Sequence, residues 1–234
     1  MKGVKFGTKH SFDDLNLILN NKDIPLPEPK TYILDVPGAD GQLDLSTALT
    51  DGDIKYKNRI LTFNFTINEP FDKWEFVKSK VAAYLHGKIM EVILDVDKDY
   101  FFIGRCTIST AKTRNPVATL TVTVDAEPYK YSVHTSTERV IWDTFNFETG
   151  IWYDMAGLTV SGEKTVVVPS QEMRVVPTII VSNDMSLVYK TTQYALYTGD
   201  NIIPAVQLSS NEEDNTLKFI GNGTVTIDFR GGIL

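Results

Sequence analysis

The stretch KTYILDVPGADGQLDLSTAL, Lys30 to Leu49, constrains the fold more than any other segment. Thr31, Ile33 and Asp35 alternate there with Tyr32, Leu34 and Val36, the period-2 pattern of a sheet strand. Pro37-Gly38 and Asp40-Gly41 then break the run, because proline fixes φ and glycine accepts the positive φ that other residues adopt only at a cost. Leu43 and Leu45 resume the spacing of two. The pattern is strand, rigid turn, strand, and the rest of the chain reads as arranged around it. No ionisable pair adjoins a candidate nucleophile, so Val36, Pro37, Gly38, Asp40, Gly41, Leu43 and Leu45 are read as a displayed assembly interface rather than a reaction centre.

On either side the chain is mostly strand. Phe6-Gly7 and His10 to Leu19 are expected to form a first strand pair, with Phe12, Leu15, Leu17 and Leu19 apolar. Pro25, Pro27 and Pro29 make Asn20 to Lys30 an extended, stiff connection poor in ladder donors. In Tyr56 to Ile67, Leu61, Phe63, Phe65 and Ile67 are the buried face and Ile60, Thr62, Asn64 and Thr66 the other. Trp74, Val77, Val81, Tyr84 and Leu85 form one apolar stripe, predicting a helix over Phe71 to His86, with Gly87 as its left-handed stop. Strands follow at Ile89 to Leu94, Tyr100 to Ser109 and Val117 to Asp125. This order predicts an α+β unit in which one helix covers a curved antiparallel sheet.

Residues 136–150 read as a connecting segment whose Trp142, Phe145 and Phe147 argue against a free linker. From 151 to 234 there is no helical stripe. Short strands are expected at 158–160, 164–168, 178–181, 185–189, 193–196, 202–208, 216–220 and 224–229. Turns at Asn183-Asp184, Gly199-Asp200, Ser210-Asn211 and Asn222-Gly223 would separate them, giving a β-sandwich. The expected domains are 1–135, 136–150 as connector, and 151–234. Charge supports two units: residues 1–140 hold 18 Lys/Arg against 19 Asp/Glu, and residues 141–234 hold 5 against 11.

Chemistry is hard to find in this sequence. One cysteine, Cys106, rules out an internal disulfide framework, and its place in a strand reads as a small buried hydrophobe. Asp95, Asp97 and Asp99 have the opening spacing of a calcium loop, but Tyr100 and Cys106 stand where its glycine and bidentate glutamate belong. His10, His86 and His134 share no face at ligand spacing. No nucleophile elbow and no phosphate-cradling loop is present, so neither enzyme activity, cofactor nor metal is expected. The acidic excess makes nucleic acid a poor partner. The N-terminal segment lacks the apolar core of an export signal and no run reaches membrane-spanning length, from which cytoplasmic synthesis without a membrane anchor is expected. A sugar-binding sandwich is the alternative, although Tyr189, Tyr194, Tyr197, Phe219 and Phe229 read mainly as core.

Taken together, Phe12 to Leu19, the Pro25-x-Pro27-x-Pro29-Lys30 run, Val36 to Gly41 with Leu43-Asp44-Leu45, Tyr56 to Arg59, Leu85 to Lys88, Tyr100 to Arg105 and Glu127 to Lys130 resemble the distal tail protein (Dit) family. These are baseplate hub proteins of siphophages, chiefly those infecting Gram-positive bacteria. The resemblance covers residues 5–133, and Val176 to Ile179, Gly221 to Gly223 and Phe229 to Gly232 are more diffusely similar to the family's galectin-like sandwich. It implies a virion structural protein of the tail tip, made in the host cytoplasm. It implies a homohexameric ring between the tail tube protein and a tail-associated hub protein, with DNA passing through a central channel without specific binding. Larger relatives insert an arm or sugar-binding module for which this chain has no room, so a receptor-binding protein is the least supported of the implied partners.

Overall fold

The computed structural model describes residues 3–38, 40–50, 52–114, 117–138, 154–169, 172–210 and 215–234; for 110–114 and 117 it describes backbone alone. Trp142, Phe145 and Phe147 therefore lie outside the described residues. Contacts divide the chain between Lys130 and Tyr131, and Ser136 belongs with the second unit, where its Oγ donates to the Ile227 carbonyl at 2.9 Å.

The first unit contains β1 (Val4–Phe6), β2 (Lys9–His10), β3 (Leu17–Asp23), β4 (Ile33–Asp35), β5 (Gln42–Asp44), β6 (Arg59–Ile67), α1 (Trp74–Leu85), β7 (Ile89–Leu94), β8 (Asp97–Arg114) and β9 (Val117–Ala126). Its main sheet runs β2-β1-β7-β8-β9-β6-β3, with antiparallel neighbours throughout. Three strands separate β1 from β6 in that order, so a flat sheet would hold them about 19 Å apart. Yet the Phe6 and Phe63 rings meet edge to face at 5.7 Å. The sheet is curled, and its concave face is filled by α1.

The predicted helical stripe is the buried one: Trp74, Val77, Val81 and Leu85 pack in one core with Leu61, Phe63, Phe65, Leu120, Val122 and Val124. The Trp74 indole N–H donates to the Glu69 carbonyl at 2.7 Å, so the ring is buried without an orphaned donor. A 3-10 turn at Phe71–Lys73 leads into the helix, and Gly87 at φ 79 ends it as expected. β8 is long because it serves two partners, β7 along its first part and β9 along its second. Gly104 lies where both meet: a Cβ there would stand 2.6 Å from the Asp125 carbonyl oxygen.

Two expectations change. His10 to Leu19 is not one strand; residues 11–15 turn, and Ser11 is buried where the turn begins, its Oγ accepting from the Val4 amide at 3.1 Å and its carbonyl from the Leu17 amide at 2.8 Å. A period-2 apolar pattern also results from a turn whose ends both face the core. The stiff connection, for its part, begins later than Asn20, because Leu17–Asp23 pairs with β6 before the prolines.

The second unit is a β-sandwich of β11 (Leu158–Val167), β12 (Thr178–Val181), β13 (Met185–Tyr189), β14 (Thr192–Leu196), β15 (Gly199–Ile202) and β16 (Thr216–Asp228), while the short strands β10 (Lys130–Ser132), which starts at the unit boundary, and β17 (Gly232–Ile233) pair with each other. Three expected boundaries are corrected. Asn222-Gly223 is not a turn but the middle of β16; the strands expected at 158–160 and 164–168 join as β11; and Gly199-Asp200 opens β15, so that 203–208 is not strand apart from a bridge at Leu208. β11 pairs with β16 along its length, while β12 and β13 take successive halves of the other edge.

A crease crosses these strands at one level. Gly162 faces Gly221, and the Ser182–Asp184 turn separates β12 from β13 at the same place. Gly221 and Gly223 adopt φ 149 and 147, a region of little access to other residues. The crease folds the two halves together, and Leu217, Phe219, Val225 and Ile227 of β16 share one core with Ile179, Leu187 and Leu196.

A Cβ on Gly221 would lie 2.6 Å from Met185 Cβ. Gly221→Val is therefore expected to destabilise the second unit by about 2 kcal/mol or more. Hydrogen exchange should show protection lost in β11 and β16 and kept in β6 and β9.

A second prediction concerns Asp95, which binds the N-terminal strand: its carboxylate accepts from the Gly3 amide at 2.6 Å and contacts His10 Nε2 at 3.1 Å. Burial works to raise its pKa, but the Gly3 amide, the His10 ring and Lys98 outweigh that and hold it below the usual carboxylate value. A depressed folded pKa stabilises above the unfolded value, about 3.9, and the benefit disappears as pH falls through the folded value. Asp95→Asn should cost about 1 kcal/mol at pH 7 in denaturant unfolding, a difference that shrinks below pH 4.

Candidate assembly interface

Residues 24–58 leave the main sheet between β3 and β6 and return to it. At their root Lys30 N–H donates to the Lys55 carbonyl at 2.7 Å and Lys57 N–H to the Glu28 carbonyl at 2.8 Å, with Pro29 and Tyr56 bridged. Further out, Leu45 N–H donates to the Tyr32 carbonyl at 2.9 Å and Tyr32 N–H to Ser46 Oγ at 2.8 Å. β4 and β5 then pair by themselves, Ile33 opposite Asp44, Leu34 opposite Leu43 and Asp35 opposite Gln42. Gly38 and Gly41 carry φ 84 and 76 at the apex, as the turn requires, and a Cβ on either would meet nothing within 4 Å.

The expected strand, turn and strand are present, but not as the centre of the fold. Both cores form elsewhere, and the hairpin is an excursion from the first. Alternation predicts one covered face; here Ile33, Leu34, Val36 and Leu43 are all exposed, Leu45 is half-buried, and Leu49 is 98% exposed. Pro37, Gly38, Asp40 and Gly41 are exposed as well. Asp44 is kept below the ordinary carboxylate range by hydrogen bonds from the Ser46 side chain and amide, which lock the hairpin's closing turn. A two-stranded ribbon is marginally stable in water, and this one exposes apolar side chains on both faces, Ile33 opposite Asp44 on one and Leu34 opposite Leu43 on the other.

The convex side of the main sheet differs in kind. Thr62 faces Thr123, Asn64 faces Thr121 and Thr66 faces Thr119. Thr121 Oγ1 donates to Asn64 Oδ1 at 2.8 Å, and Asn20 Nδ2 to Thr66 Oγ1 at 2.8 Å. The six side chains of β6 and β9 on this face are half-buried, polar and uncharged. The alternation in β6 signalled it; that its neighbour β9 continues it emerged only with the register.

The remaining sequence candidates are dispersed. Asp95 serves Gly3 and His10, while Asp97 pairs with Lys130 Nζ at 2.6 Å. His86 Nδ1 accepts from the Ile108 amide at 3.2 Å, and His134 Nδ1 lies 3.0 Å from Glu138 Oε2. Among the described residues no three His, Cys, Asp or Glu side chains gather as a metal site. Cys106 is buried, and burial pushes its thiol up to about 11. Of the sandwich aromatics, Tyr189, Phe219 and Phe229 are core, Tyr194 packs against it, and Tyr197 is exposed. No described helix is long and apolar enough to cross a membrane.

A curled sheet with one covering helix, followed by a creased β-sandwich and bearing an uncovered hairpin, defines a mostly β class of two-unit protein with no catalytic constellation among its described residues. The same fold occurs in the Dit protein (gp 19.1) of phage SPP1, described as a paradigm of the hub adsorption apparatus in phages infecting Gram-positive bacteria. The two match over 100% of both chains with a TM-score of 0.68 at 12% identity. A chain of the phage p2 baseplate in its activated, strontium-bound conformation aligns over 100% of this chain and 98% of its own, at a TM-score of 0.39 and 9% identity. No family model and no curated protein sequence matches.

Proposed function

We propose that this chain is a distal tail protein, the subunit of a homohexameric ring at the tip of a siphophage tail, between the tail tube and a tail-associated hub protein. The observation that carries this reading is the apolar hairpin, Tyr32 to Leu45, uncovered within its own subunit. The fold shared with the SPP1 hub protein and the sequence resemblance over residues 5–133 support it independently. In a closed ring every subunit offers and receives the same contact, so no hairpin is left without a surface. The near-neutral first unit supplies that contact.

Light scattering should give six times the 26.2 kDa of one chain. Gly38→Val with Gly41→Val strains only the exposed apex, and is expected to yield a folded monomer. A variant that still forms hexamers would show that the hairpin lies outside the interface.

The uncharged Thr62, Asn64, Thr66, Thr119, Thr121 and Thr123 surface suits the wall of a channel. DNA in transit is slowed by every phosphate that a cationic wall neutralises. The assembled ring should accordingly fail to retain duplex DNA at physiological salt in a filter-binding measurement; tight retention would exclude an inert wall.

A further inference from the structure

Arg59 opens β6 opposite Ala126 and is only 4% exposed. Its guanidinium lies 4.7 Å over the Phe102 ring. Nη1 donates to the Pro25 carbonyl at 3.5 Å, the outer limit of a hydrogen bond. Among the described residues, Nε and Nη2 have no partner. A guanidinium has five N–H donors and stays charged, so most of its capacity is unused in a place where burial alone pulls its pKa down. For the isolated subunit such a group is a liability, since an apolar side chain of the same length would fill the space without the desolvation.

The covering over this charge is slight. Ile24 packs on the core and Pro27 is buried, but Pro25, whose carbonyl meets Nη1, and Leu26 are exposed, and Pro25 has no N–H to tie it to a strand. These residues begin the same excursion that carries the hairpin, so a pull on the arm also moves the cover of Arg59.

The complementary group is on the arm itself. Among its described carboxylates, Glu28 pairs with Lys57, Asp35 accepts from Gln42, Asp44 from the Ser46 amide, and Asp53 pairs with Lys55. Asp40 has no such partner; it is exposed between Gly38 and Gly41, at the end of the hairpin away from its root. One end of the arm thus presents a carboxylate, and the other covers a guanidinium whose fork matches a carboxylate in two-point geometry.

We propose that Arg59 is a socket for a carboxylate from a second copy of this chain, and that Asp40 at the apex of that copy's hairpin supplies it. The contact runs apex to root, head to tail, the kind that repeats around a ring until it closes. It rests on the ring reading above and names the polar pair that sets the register of the apolar contact.

The test is a double-mutant cycle on subunit association by analytical ultracentrifugation, using wild type, Arg59→Met, Asp40→Asn and the double variant. Each single change should weaken association on the order of 10²-fold, and the double variant should be no weaker than the poorer single. Melting is compared at concentrations where the chains are monomeric. There Arg59→Met should melt about 3 °C or more above wild type, while Arg59→Lys, which keeps the buried charge, should not. Additive effects on association, or an Arg59→Met monomer that melts lower or does not fold, would overturn the proposal. A wild-type chain that never associates removes the ring reading and this pair with it; a ring indifferent to both substitutions removes the pair alone.

Discussion

A pair of β-strands with no third strand beside it and no layer beneath it has too little to bury. The chain nonetheless commits residues 24–58 to such a ribbon, roots it by backbone bonds at Glu28 to Lys30 and Lys55 to Lys57, and loads it with exposed apolar side chains. Neither core draws on the paired strands Ile33–Asp35 and Gln42–Asp44. In the assembly proposed here, its stability is completed by a neighbouring copy outside the subunit.

Each unit closes its own core apart from that ribbon. In the first unit the curl that brings Phe6 onto Phe63 encloses the helix stripe, so β6, which anchors the return of the arm, is buried on its inner face from Leu61 to Ile67. In the second unit a single crease at Gly162, Gly221 and Gly223 converts one sheet into two facing walls. Both solutions depend on close backbone approaches that a side chain would block, at Gly104 in one unit and Gly221 in the other.

Much of this was legible in the residues. The stripe from Trp74 to Leu85, its stop at Gly87 and the alternation in β6 report local geometry and burial at once, because a helix or strand with one covered face has only one way to place its apolar side chains. Glycine signals were less decisive. Asn222-Gly223 offers the same positive φ to a turn and to a crease, and only the pairing partner, β11, selects between them. Lys30 to Leu49 holds the strand, turn and strand that its residues predict, but it is not the centre of the fold. Alternation specifies which residues share a face, and leaves open whether anything covers it. Arg59 gave no signal at all, since an arginine at a strand's start is ordinarily solvated; its burial is a tertiary consequence that brings it against the Phe102 ring and the Pro25 carbonyl.

The most direct test of the account is hydrogen exchange at the amides from Tyr32 to Leu45, followed in the full chain from dilute monomer to assembled particle. If the ribbon is completed by a neighbouring copy, those amides gain strong protection on association while β6 and β9 stay as slow as before. Equal exchange rates in monomer and assembly would contradict it, because the ribbon would then stand by itself.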